Sequence, residues 1–90
     1  MSVVDCPCAV PGCGGRARLK PLRTAIGPLD MTEGLCAHHM SLAAPDRLLV
    51  LRAARLDLMA SPGLAEIVLF VRAWEAVKMS AIERSVRSAA

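Results

Sequence analysis

The clearest periodicity lies in the carboxyl-terminal half of the chain. Ile67, Phe70, Trp74, Val77 and Ala81 recur at alternating steps of three and four residues, the spacing that lines one face of an α-helix. Ser61 and Pro62 stand just ahead of this run; a hydroxyl N-cap followed by proline at the first helical position predicts a start there. A long helix is therefore expected from Ser61-Pro62 to about Val86. Upstream, Pro45 and Asp46 mark another start, because proline lacks only an N–H that has no partner there and aspartate faces the positive end of the dipole. The helix that follows spans 45–59, with Leu49, Ala53 and Leu56 on one face and Arg52 and Arg55 as neighbours on another. A shorter helix is expected after Gly34, from about Leu35 to about Ala43.

The amino-terminal half follows other rules. Arg16-Ala17-Arg18-Leu19-Lys20 alternates charged and apolar, the period of a half-exposed strand, and Pro21 ends it. Residues 22–34 contain Gly27-Pro28 and little periodicity; an irregular strand returning through Leu29 and Met31 completes a short hairpin. Residues 6–15 are turn chemistry throughout, with Pro7, Pro11-Gly12 and Gly14-Gly15, which predicts a knuckle and neither strand nor helix. Residues 1–5 read as a loose lead-in. The expected fold is small α+β and mostly α: a knuckle with a short β-hairpin, then three helices, the last one long. Ninety residues make one domain, with the knuckle, hairpin and first helix in 6–44 and a helical hairpin in 45–90.

The turn-rich segment also carries the candidate chemistry. Cys8 and Cys13 enclose four residues, Cys36 and His39 enclose two, and twenty-two residues separate the pairs. Two short ligand pairs joined by a longer connection are how a tetrahedral Cys3His zinc site looks in sequence. His39 lies three residues after Cys36 and shares its helix face, whereas His38 points away and reads as an exposed neighbour or an outer support of the site. Cys6 is the alternative to Cys8; Cys8-x4-Cys13 closes a compact knuckle, while Cys6-x6-Cys13 leaves slack. Four cysteines without a histidine form a third ligand set. The competing interpretations are buried free thiols and a redox pair Cys6-Pro7-Cys8, which lacks the usual Cys-x-x-Cys spacing. With every ligand supplied by the chain, no coordination position is left for water. The expected cofactor is thus one structural Zn2+, with iron the rival for such a thiolate-rich set.

Composition narrows the partners. Hydrophobic residues make up 54% of the chain, yet it has one Phe, one Trp and no Tyr, so the core is aliphatic, disorder is excluded, and a base-stacking surface is disfavoured. The formal charge is +3, and three thiolates with one divalent ion lower it by one. Nine of the eleven cations are Arg, the side chain suited to forked phosphate contacts. Arg16, Arg18, Lys20 and Arg23 form the densest cluster, either a phosphate-binding face or a solvated strand face. The long helix is apolar on nearly all sides at its start, which predicts an interface at Leu64, Ile67, Phe70, Val71 and Trp74 for a homodimer or a host protein. The amino terminus lacks a basic start and apolar run, and the apolar window 64–71 is too short for a bilayer. A cytoplasmic protein is expected, with no membrane partner and no small-molecule substrate.

The knuckle Cys8-Ala9-Val10-Pro11-Gly12-Cys13-Gly14-Gly15, the basic segment after it, and Gly34-Leu35-Cys36-Ala37-His38-His39 together resemble treble-clef zinc fingers. In those, a knuckle and the first turn of a helix each give two ligands. The remainder is similar to small phage- and prophage-encoded zinc-binding proteins, with Pro45, Leu48, Ser61-Pro62-Gly63 and Ala73-Trp74-Glu75-Ala76-Val77 in the corresponding places. This resemblance implies a fold and a mobile-element setting. Treble clefs also carry HNH-type nucleases, but those need a catalytic His at the hairpin, and 16–34 contains none. Cys36 and His39 are already used as ligands, so no enzymatic activity is expected. Two functions follow: a nucleic-acid-binding or regulatory module of phage type, or a zinc-stabilised protein-interaction or dimerisation module acting on a host protein.

Overall fold

Four short strands precede three helices in the computed structural model, which describes residues 4–20, 22–24, 27–29 and 31–89. The order is β1 (Val4–Pro7), β2 (Arg16–Leu19), β3 (Leu22–Thr24), β4 (Gly27–Leu29), α1 (Ala37–Leu42), α2 (Pro45–Ala60) and α3 (Leu64–Ala89). The chain is thus small α+β, mostly helical, with the longest helix last. Among the described residues, no helix is long and apolar enough to cross a membrane.

The hairpins differ from expectation in their pairing. The strand at Arg16 pairs backward with β1, in the register Val4↔Leu19 to Pro7↔Arg16, so Val4 and Asp5 are strand and not lead-in. Cys6 and Pro7 likewise belong to a strand, and the knuckle proper is the loop joining β1 to β2. The return through Leu29 exists as β4, but it pairs with β3, and Met31 lies beyond it. Pro21, the expected strand end, is outside the described residues. The knuckle is then tied to the segment before α1 by a parallel bridge between Cys8 and Gly34: the Ala9 amide donates to the Gly34 carbonyl at 2.7 Å and the Gly34 amide to the Pro7 carbonyl at 3.1 Å. Gly34 meets β2 so closely that a Cβ there would lie 2.7 Å from that of Ala17. Gly12, with φ of +81°, supplies the left-handed residue that the knuckle turn requires.

The helices fall close to their predicted bounds, with one correction. Ser61 ends α2, its amide donating to the Asp57 carbonyl at 2.8 Å, and α3 begins instead from Gly63, whose carbonyl accepts from Ile67. Continuation of the α2 bonding pattern into Ser61 removes it from the next helix. On α2, the inward stripe is Leu48, Leu51, Ala54 and Leu58, whereas Leu49, Ala53 and Leu56 face outward. Both stripes are apolar at helical spacing, and packing against α3 selects one.

The core forms two clusters along α3. Trp74, Val77 and Ala81 pack with Cys8, Val10, Leu35 and Ala43; Ile67 and Phe70 pack with Leu22 of β3 and Leu58 of α2. All five residues of the predicted α3 stripe are buried. Ile67, Phe70 and Trp74, expected at an interface, are therefore covered by the chain's own core, while Leu64 and Val71 remain exposed. A helix apolar around its start sends one stripe inward and leaves the other to solvent. Ser80, buried in α3, accepts from the Ala44 amide at 3.1 Å and donates to the Val77 carbonyl at 2.8 Å, satisfying the backbone where α1 turns into α2.

Candidate metal centre

The knuckle places Cys8 where β1 ends and Cys13 on the turn that follows, closed by the Cys13 amide donating to the Val10 carbonyl at 3.1 Å. The Cys8–Gly34 bridge brings the second pair alongside. Cys36 is the N-cap of α1, and His39 lies one turn further on, so both side chains reach the knuckle from the same side. The Cys36 carbonyl accepts from Met40 at 2.8 Å, which fixes this turn.

The four side chains converge. One ligand atom from each of Cys8, Cys13, Cys36 and His39 lies within 4.8 Å of the others. His39 Nδ1 is 3.5 Å from Cys8 Sγ and 3.2 Å from Cys36 Sγ, and Cys13 Sγ is 3.9 Å from Cys36 Sγ. A tetrahedron built with zinc–sulfur bonds of about 2.3 Å and a zinc–nitrogen bond of about 2.0 Å has edges of roughly 3.5–3.8 Å. The cluster is within a few tenths of an ångström of that size along these edges, and it could hold one metal ion.

The surroundings favour thiolate at two of the three sulfurs. Burial pushes the Cys8 thiol up, but amides of Cys36 and Val10 and the neighbouring thiols more than offset it, and the group lies below its ordinary range. The His39 amide, with the imidazole, lowers Cys36 against the effect of burial. At Cys13 the Gly15 amide lowers, but burial and competition with Cys8 and Cys36 prevail, and the thiol is raised. Backbone N–H groups aimed at sulfur, such as Gly15 to Cys13 at 3.3 Å and Cys36 to Cys8 at 3.5 Å, are the outer contacts that stabilise metal thiolates.

Two alternatives are placed elsewhere. Cys6 is buried on the β1–β2 pair, its thiol donating to the Ala17 carbonyl at 3.7 Å; burial, with Asp5 nearby, keeps it protonated above its usual range. His38 is exposed, its ring meeting that of His39 edge-on at 5.0 Å. One residue was missed by the spacing argument. Ser85 of α3 sits with Oγ 3.5 Å from His39 Nε2, on the far side of the ring from the sulfurs. A metal on Nδ1 leaves Nε2–H to donate to that hydroxyl, which holds the ring in place.

The cation cluster is only partly assembled. Arg16 and Arg18 project from the outer side of β2 opposite buried Ala17, and Lys20 follows them, exposed. Asp5 on the paired strand lies 3.6 Å from Arg16. Arg23 belongs to β3, and its side chain is outside the described residues. Comparison with known protein families, with curated proteins and with solved structures gives no match to this chain.

Proposed function

We propose that Cys8, Cys13, Cys36 and His39 hold one structural zinc ion, and that the domain it closes is a nucleic-acid-binding or regulatory module of the kind carried by small phages and mobile elements. The observation that carries the zinc assignment is the donor set: three sulfurs and one imidazole nitrogen within 4.8 Å, a set and size suited to tetrahedral zinc. Since the chain fills all four corners, no position remains for water or substrate, and the protein acts by binding and not by catalysis. Coupling of metal binding to folding supplies on the order of 10 kcal/mol apparent in small zinc modules. The mobile-element setting rests on the sequence resemblance alone.

Support for a nucleic-acid partner comes from Arg16, Arg18 and Lys20, exposed beside the knuckle. Three phosphate contacts predict that log affinity falls with log salt at a slope of about −2.7 for duplex and about −2.1 for single strands. A shift assay over a salt series with both forms of DNA and RNA tests this, with Arg18→Glu expected to weaken binding to every sequence alike. Absence of binding at low salt contradicts the nucleic-acid half and leaves the metal half standing. That result favours the second reading, a protein-interaction module, for which exposed Leu49, Leu56, Leu64 and Leu69 are the specific observation.

A further inference from the structure

The outward side of α2 has no role in the metal site or the basic strand, yet it is organised. Leu49, Ala53, Leu56 and Ala60 follow steps of four, three and four residues, and all four are exposed; Leu49 is 64% and Leu56 66% accessible. This is the seam spacing of a coiled coil, on a helix whose opposite side is already used by Leu48, Leu51, Ala54 and Leu58. The inward stripe is already covered by the chain's own core, so the outward one can be buried only against another surface.

The charges beside the seam identify what encloses it. At 100° per residue, Arg52 flanks the seam on one side and Asp57 on the other. The Asp57 side is extended by α3: Val50, Ala53, Ala54, Asp57, Glu66 and Leu69 line a cleft of about 200 Å3 between the helices, apolar with two carboxylates. One flank is thus basic and the other acidic. When two copies of one helix pair in parallel, opposite flanks meet, and a flanking residue faces the one five positions later on its partner. Arg52 and Asp57 are separated by that interval. Antiparallel pairing instead brings like flanks together, so that Arg52 and Asp57 no longer meet.

We propose that α2 pairs in parallel with α2 of a second copy, about a two-fold axis running along the helices, with Leu49, Ala53, Leu56 and Ala60 in the seam and Arg52 of each chain against Asp57 of the other. The occupant of this face is a second copy of the chain, because the face is complementary to itself in this orientation. Ala53 and Ala60 keep the seam narrow, and Leu69 closes its acidic edge. The assembly is independent of the partner that the basic strand binds.

Sedimentation velocity on the zinc-treated 90-residue chain tests it, comparing wild type, Arg52→Asp, Asp57→Arg and an equimolar mixture of the two variants. Both positions of change are on the surface, and circular dichroism with zinc content checks that each variant is folded. Wild type is expected to shift from one chain to two as concentration rises into the high micromolar range. Each variant alone places like charges together twice, and its dimer is expected to weaken by at least about tenfold. The mixture is expected to recover the dimer, since the introduced charges then oppose each other and the native Arg52 faces the native Asp57. A wild type that stays one chain at high concentration overturns the proposal, as do variants that dimerise like wild type or a mixture that fails to associate.

Discussion

His39 is the side chain whose two nitrogens do different work. Nδ1 faces Cys8 and Cys36, and Nε2 faces Ser85, so α3 reaches the candidate metal site without adding to its donor set. Ser85→Ala is expected to weaken zinc binding by about 10–100-fold, the usual effect of losing such a contact, as measured by competition with a chromophoric chelator. Ser85→Thr keeps the hydroxyl and is expected to bind as wild type; equal affinity for the alanine variant would contradict the role. The four converging side chains were legible because Cys-x4-Cys and Cys-x2-His are short local patterns that geometry must respect. Ser85 was not. It lies 46 residues from His39, and a lone serine in a helix carries no signal until the helix is packed. Cys6 against Cys8 turned on pairing: in β1, Cys6 stands opposite Ala17, which turns it toward the strand pair and leaves Cys8 for the knuckle.

The element that sequence reading placed least well is β1. Val4-Asp5-Cys6-Pro7 offers a proline and a charge within four residues, so neither periodicity nor propensity marks it, and only pairing with β2 makes it a strand. Its consequence is the contact at Gly34, where β1, β2 and the approach to α1 come together. Gly34→Ala would place a methyl 2.7 Å from Ala17 Cβ, between atoms fixed to two backbones that cannot rotate away. A loss of about 1–3 kcal/mol is expected from such overpacking, read by chemical denaturation of the zinc-treated protein. No loss of stability would mean that this junction is looser than described. The helices were easier, because periods of three and four residues are a local property. The orientation of α2 was not, since its two apolar stripes differ little and the choice is made by Leu58 packing against Ile67 and Phe70 of α3.

At the scale of the molecule, α3 is the spine to which both halves attach. Its first turns carry Ile67 and Phe70 toward Leu22 and Leu58, and its middle carries Trp74, Val77 and Ala81 toward the knuckle. Lys78 adds an ion pair to Glu33 at 2.7 Å just ahead of the Cys8–Gly34 bridge. This explains why three of the five residues expected at an interface are interior: a 90-residue chain with so few aromatic side chains uses its largest ones for itself. The knuckle packs Cys8 and Val10 against α3 and is bridged through Cys8 to Gly34 ahead of α1, and Cys8, Cys13, Cys36 and His39 converge across the same junction. A metal ion held by these four side chains would be a further tie between the hairpin end and the helices. The direct test is elemental analysis of protein purified without added metal: the account predicts one zinc per chain, and a folded protein that carries no metal, or iron in its place, contradicts it.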